Sequence, residues 1–338
     1  MLLEKSVVGK KTDWANYITL ADEHETPALR IIAKGPKPVN VIKNYQSDTY
    51  DDPQPNAWPD GKDWDTFKSA GANRKALSAR IQWFVKTSAV SKLAEDVTDT
   101  AGITDELAHD IPKRMTEMAR EMESHACSDQ LAFADDTDTG HKYRGMGQWI
   151  KNGPAADADV AVDPAIQPPT ASIYSGTLAN LNEDAVVGVL QSMWDNTGSK
   201  GRKLGLVGRN LKKRFRDFQY FLPSSTTTQS TARITQREEG DTSLGNTIDY
   251  YDSDWGMLEL HMTKWNAHPN FTASGTASIS NWRGYFLNPA RWMWLWNQKP
   301  TVYKPEFRGG SYKAAIDAIV MFLCLNPIGE GKVIPSDA

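Results

Sequence analysis

Residues Ile103–Glu123 read ITDELAHDIPKRMTEMAREME. Ile103, Leu107, Ile111, Met115, Met118 and Met122 recur at steps of three and four, which lines them along one face of a helix with 3.6 residues per turn. Thr104 stands at the N-cap position, and Asp105 and Glu106 fall in the first turn, where the helix dipole favours acids. The spacing predicts a long amphipathic helix running to about Asp129, roughly 38 Å at 1.5 Å per residue. Pro112 lies inside it and removes a backbone hydrogen bond, so a kinked rod is expected.

Upstream, Val39–Ser47 (VNVIKNYQS) is rich in β-formers. Leu77–Ala89 (LSARIQWFVKTSA) alternates, with Ile81, Trp83 and Val85 on one side and Gln82, Phe84 and Lys86 on the other. Between them Asp51–Asp65 carries Pro53, Pro55, Pro59 and Gly61, a stretch dense in turn residues. Two strands and a long connection make an extended hairpin. An isolated two-stranded ribbon is at best marginally stable in water, so this one needs cover from its own body or from a neighbouring copy. Residues 1 to about 38 begin with Lys5, Lys10 and Lys11 and end in KGPKP at Lys34–Pro38. They show no sustained period and read as an extended arm.

Downstream, Asp135–Gly147 reads as a loop, and the proline- and alanine-rich stretch from Pro154 to about Thr177 reads as an insertion. Asn182 is placed to cap a helix with Glu183 and Asp184 in its first turn and Val186, Leu190, Met193 and Trp194 on one face, ending near Gly198. KLGLVG predicts a short buried strand, and NLKKRFRDFQYFL a basic helix with Leu211, Phe215 and Phe218 inward. Further strands are legible in NTIDYYDS, GMLELHMT and AIDAIVMFLCLN. Strands, then a long helix, then mixed elements indicate an α+β fold, and no internal repeat is present.

The 338 residues suffice for two or three compact units, and 40% apolar with 24% charged residues is globular composition. Thirty-eight basic against 42 acidic residues give a net charge of -4, which excludes a dedicated nucleic-acid binder. Glu4 and Lys5 interrupt the apolar stretch a secretory signal requires, and the longest apolar run, Ala318–Leu325, is far below the roughly 20 residues of a membrane span. The chain is expected to be soluble, made inside the cell and free of membrane contact. Cys127 and Cys324 are expected to be free thiols in apolar surroundings.

No constellation of catalytic, cofactor-binding or metal-ligating residues emerges. Only His261 and His268 come near each other, too few for zinc. Asp135, Asp136 and Asp138 lack the glycine and closing glutamate of a calcium loop. Glu117, Glu121 and Glu123 read as an ordinary solvated or interface face, and no phosphate loop or nucleophile elbow is present. Two features stay open. Between Lys200 and Arg216 stand eight cations and no acid, suited to phosphates or to the acidic surface of an identical neighbour. Trp292, Trp294 and Trp296 alternate on one strand face and fit either a stacking platform or a core or subunit anchor.

The order of arm, hairpin, long helix, mixed module and returning strands resembles the major capsid protein of tailed bacteriophages with the Hong Kong 97-like fold. TPALRIIAKG at Thr26–Gly35, the helix quoted above, YRGMGQWI at Tyr143–Ile150, YYDSDWGMLELHMTKW at Tyr250–Trp265 and GYFLNPARW at Gly284–Trp292 are similar to the subgroup related to phage SU-ten. The resemblance implies an N-terminal arm (1–38), an E-loop hairpin (39–90), a peripheral domain with a spine helix (91–177), an axial domain (178–290) and returning peripheral strands (291–338). Pro112 and the inserted stretches 154–177 and 266–281 depart from the pattern.

Self-assembly into hexamers and pentamers of an icosahedral shell around double-stranded DNA is implied, with no enzymatic activity and no cofactor. Portal, scaffolding or decoration proteins are the implied partners, DNA contact is nonspecific, and assembly takes place in the host bacterial cytoplasm. A tail-surface or carbohydrate-binding protein using the Trp-rich strand is the alternative.

Overall fold

The computed structural model describes residues 26–64, 67, 69, 71, 73–97, 105–153, 162–218, 249–266, 279–306 and 309–336. In chain order these form α1 (Pro27–Ile31), β1 (Ala33–Gly35), β2 (Ile42–Ser47), β3 (Lys75–Ser91), α2 (Lys92–Val97), α3 (Glu106–Ala126), α4 (Met146–Trp149), β4 (Ile173–Tyr174) and α5 (Glu183–Thr197). They continue with β5 (Lys203–Val207), α6 (Arg209–Asp217), β6 (Tyr250–Ser253), β7 (Gly256–Met262), β8 (Gly284–Leu287), β9 (Trp292–Tyr303), β10 (Ser311–Cys324) and β11 (Gly331–Val333). One five-stranded sheet has the order β1-β9-β10-β3-β2 and one six-stranded sheet the order β4-β11-β8-β5-β7-β6. The chain divides into two compact units. Phe84–Met118 and Pro300–Ala318 belong to the first, and 26–83, Ala119–Lys299 and 319–336 to the second.

In the first unit α3 begins at a cap other than the expected one. The Asp105 carboxylate accepts the Ala108 amide at 2.7 Å, while Thr104 and Ile103 lie outside the described residues. The helix continues through Pro112 as a single element, with Leu107 and Met118 buried. Arg114 donates to Asp110 at 3.0 Å and to Glu117 at 2.9 Å, and the Ser88 hydroxyl also donates to Asp110. Burial works against the ionised Asp110, yet the Ser88 and Arg114 donors together hold its carboxyl below the usual range.

In the second unit the expected hairpin forms. β2 pairs antiparallel with β3 from Ile42↔Arg80 to Ser47↔Lys75. The described part of the arm is more ordered than an extended segment. It carries α1, and β1 adds in parallel to β9, with Lys34 opposite Trp294 and Gly35 opposite Leu295. A Cβ on Gly35 would press on the Leu295 side chain, which would have to move to admit a larger residue. Residues 1–25, with Lys5, Lys10 and Lys11, lie outside the described residues, as do most of 266–281.

The stretch expected to be an insertion is partly woven into the six-stranded sheet. β4 pairs in parallel with β11 (Ile173↔Lys332), and β11 pairs on its other side with β8. Two buried apolar residues, Val162 and Ile166, tie the same stretch down. Composition misled here because proline supports short 3-10 turns, such as Pro164–Ile166, as readily as a free loop.

The elements from Asn182 onward follow the sequence closely. Asn182 accepts the Ala185 amide at 2.9 Å to open α5, and Gly198, with φ of 63°, closes it in the left-handed region. β5 is buried along its whole length. Val186, Leu190 and Met193 of α5 join Leu211 and Phe215 of α6, Leu258 of β7 and Phe286 of β8 in one core. The Phe215 ring meets Tyr251 at 5.5 Å and Phe218 at 5.6 Å. Burial of each such side chain contributes about 1.5–3 kcal/mol.

Candidate assembly surfaces

The residues that sequence reasoning weighed for chemistry do not come together. His261 lies 2.9 Å from Glu259, and His268 is outside the described residues. The Asp136 carboxylate turns back to accept the amides of Asp138 at 2.9 Å and Thr139 at 2.7 Å. Among the described residues no group of three His, Cys, Asp or Glu side chains is placed to hold a metal, and no helix is long and apolar enough to cross a membrane. Cys127 and Cys324 are buried free thiols, and burial raises the pKa of each. Trp292 and Trp294 are fully buried, stacked or tilted against Phe322 at 5.2 and 4.5 Å, so they present no ring face to a sugar or base.

The basic block is largely occupied within its own unit. Arg202 pairs with Glu259, and buried Lys203 donates to the Trp255 carbonyl at 3.0 Å. Lys212 reaches Asp249 at 3.3 Å, and Arg214 donates to the Leu181 carbonyl at 2.9 Å.

What the second unit does present is the hairpin. Every residue from Asp51 to Trp64 is exposed. Tyr50, Trp64 (73%) and Phe67 (80%) face solvent, and Trp58 is held in a local turn by its indole N–H donating to the Lys62 carbonyl at 2.8 Å. The side of β3 bearing Trp83 and Val85 is the exposed one, 64% and 45%, while Phe84 and Gln82 turn inward. The base is anchored. The Tyr45 hydroxyl donates to the Cys324 carbonyl, Lys75 pairs with Asp163 at 3.3 Å, and Asn73 donates to the Thr49 carbonyl at 3.0 Å. Large aromatics carried into water on an anchored base make the hairpin a candidate interaction surface.

A sequence profile of the family described as SU10 major capsid protein matches residues 4–316. The chain belongs to this family. Its fold is the Hong Kong 97-like capsid fold, and solved capsid chains share it. The structure titled "Asymmetric unit of bacteriophage PhiM1 mature capsid" is 10% identical at a TM-score of 0.62, covering 100% of this chain and 95% of that one. The "Capsid structure of the Cyanophage P-SCSP1u" is 7% identical at 0.61, covering 100% and 97%. The "Capsid of native GTA particle computed with C5 symmetry" is 13% identical at 0.60, covering 99% and 97%. A search of curated proteins finds no match.

As a major capsid protein the chain is a structural component of the virion that associates with copies of itself into a shell. The stretches that carried the resemblance have physical work in this capsid protein, concentrated where α3 ends. The Tyr143 hydroxyl donates to the Met122 carbonyl at 2.9 Å, and Tyr285 donates to that of Cys127 at 3.2 Å. Arg283 pairs with Asp129, and buried Lys332 donates to the Gly147 carbonyl at 2.7 Å. A Cβ on Gly145 would run into the Ser128 backbone carbonyl, so close packing requires glycine there, and one on Gly147 would displace the Asp129 carboxylate.

Glu123 corrects the sequence reading most sharply. It lies on no solvated face and is fully buried. Its carboxylate accepts the amides of Ala28 at 3.0 Å and Leu29 at 2.9 Å, fastening the arm to α3, and the Thr263 hydroxyl approaches at 3.4 Å. The Trp294 indole holds the same segment by donating to the Ala28 carbonyl at 3.3 Å. A glutamate after two others on a polar helix face carries no signal of this. Only the amides of a segment 95 residues away give it its role.

Burial pushes the Glu123 carboxyl up to about 7, against the pull of the two amides and Thr263. Between the ordinary carboxylate value and 7, the folded chain holds a proton that the unfolded chain has released. This contribution to stability is present at low pH and is lost as pH rises through 7. Glu123→Gln, neutral at every pH, is therefore expected to gain on the parent between pH 5 and pH 8 by on the order of 2–3 kcal/mol. Denaturant midpoints of the two subunits across that range measure it. His125, held neutral mainly by burial, with a pKa lowered to about 4, titrates with the opposite sign but is common to both proteins and drops out of the difference. Parallel curves for parent and variant would show that the carboxylate is not burdened in this way.

Proposed function

We propose that copies of this chain form hexamers and pentamers of an icosahedral shell that encloses double-stranded DNA, with the hairpin lying across the α3 helix of the adjacent copy. The observation that carries the proposal is the hairpin itself, anchored at its base and lined with exposed Tyr50, Trp64 and Phe67. In this reading 1–38 is the arm, 39–90 the E-loop, 91–177 and 291–338 the peripheral domain, and 178–290 the axial domain that closes the ring. A ring needs heterologous contacts that close by rotation, and joining rings needs a second set. Many modest contacts acting at once then hold the lattice far more tightly than any single pair. Portal, scaffolding or decoration proteins complete the particle in the host cytoplasm, and DNA meets the inner surface without sequence preference.

Electron microscopy of the purified chain tests this directly. Closed shells or capsomer rings are the expected result. A monodisperse monomer at every concentration and salt, with the hairpin amides protected from hydrogen exchange in that monomer, would refute it.

A further inference from the structure

The helix α6 carries more positive charge than the described residues of its own unit pair. Successive residues of a helix turn by about 100°, which puts Leu211, Phe215 and Phe218 on one side and Arg209, Lys213 and Arg216 within an arc of about 60° on the opposite side. Leu211 and Phe215 are fully buried. Lys212 and Arg214 flank the buried side and bend inward to Asp249 and the Leu181 carbonyl. Arg209 and Lys213 are exposed, one turn apart, and make no ion pair among the described residues.

The same unit exposes a matching excess of acid. β6 is the outer strand of the six-stranded sheet. Beside it an open cleft of about 360 Å³ is lined by Glu183, Asp184, Tyr251, Asp252 and Asp254. The Tyr251 hydroxyl donates to Glu183 at 2.8 Å, which leaves Asp184, Asp252 and Asp254 exposed and without an ion pair among the described residues.

We propose that the Arg209–Lys213 stripe of one copy docks on the Asp252–Asp254 edge of the next copy in the capsomer ring. This deepens the shell reading above and rests on it. Rotational closure requires each subunit to carry two different patches, each complementary to the other and not to itself. The cation pair on α6 and the acid edge on β6 meet that requirement with opposite charge. A second copy fits better than nucleic acid, because proteins that track a polyanion neutralise on the order of 6–10 phosphates. The stripe offers few free cations, and the acids of the same unit repel phosphate. Charge complementarity of this kind sets register and partner choice and accelerates encounter.

The test is a charge exchange in the full chain, read by sedimentation of assembled against free subunits. Arg209→Glu with Lys213→Glu places acid against acid, and Asp252→Lys with Asp254→Lys places base against base. Each pair of substitutions is expected to lower the assembled fraction at least about tenfold, while circular dichroism and the melting midpoint of the subunit stay unchanged. Combining all four restores opposite charge at every ring contact and is expected to recover assembly. Added salt is expected to weaken assembly of the unmodified chain.

Parental assembly of either reversed variant would overturn the inference, as would a folded fourfold variant that stays unassembled. Parental assembly with loss of retained DNA in the Arg209→Glu, Lys213→Glu variant would assign the stripe to nucleic acid instead. Failure of the unmodified chain to assemble under any condition would strike the shell reading, and this inference with it.

Discussion

Replacing residues 50–71 with a four-residue Gly-Ser linker is expected to leave a folded subunit that forms no shells. The substitution keeps every β2–β3 pair from Ile42↔Arg80 to Ser47↔Lys75, the Tyr45 tether to Cys324 and the Lys75–Asp163 ion pair, and at the base it removes the bonds of Asn73 to Asp51 and of the Arg74 amide to the Gly71 carbonyl. It removes Tyr50, Trp58, Trp64 and Phe67, which are large and exposed and contribute little to the free subunit. Aromatics that anchor an interface typically cost about 2 kcal/mol or more each when truncated, and every 1.4 kcal/mol is tenfold in association. Losing three or four anchors from each contact of a repeating lattice therefore lowers the assembled fraction below detection. Trp64→Ala with Phe67→Ala is expected to fall between the two, with shells forming only at raised subunit concentration. Sedimentation and electron microscopy read the result. Shells at parental yield from the linker variant would remove the hairpin from the assembly mechanism.

Trp294→Ala is expected to cost the subunit about 3–5 kcal/mol, the usual range when a large ring is removed from a closed core. Its ring packs against Tyr143 at 6.0 Å and Phe322 at 4.5 Å, and its indole N–H is one of the bonds that fix the arm at Ala28. The variant loses packing and tether together, so β1 is expected to detach from β9 before the rest of the sheet melts. Urea denaturation gives the magnitude, and hydrogen exchange at Ala33–Gly35 gives the order of events. Trp296→Ala, on the same strand but only partly buried, is expected to lose less. A loss below about 1 kcal/mol at Trp294 would contradict the close-packed core described above.

The features legible in the sequence were those that local physics determines. Asn182 and Gly198 bracket α5 because a side-chain acceptor and a residue tolerant of positive φ are needed at the two ends. The alternation around Trp83 located β3, but alternation alone does not say which side is covered. The side with Trp83 and Val85 proved to be the open one, whereas Phe84, Gln82 and Arg80 are buried. The roles of Glu123, Gly35, Gly145 and Gly147 were not legible, since each is set by atoms from a distant segment that the local pattern does not name. The basic block was visible as charge. Its division into cations used at home and cations left outside required the positions of Asp249, Glu259 and the Leu181 carbonyl.

The place of β11 bears on when the protein becomes whole. Residues 331–333 lie between β4 and β8, while the remaining strands of that sheet are drawn from positions 173–287. β4 and β8 have no common neighbour until residues 331–333 have been made. A chain cut before residue 331 therefore lacks an interior ribbon of that sheet rather than an edge.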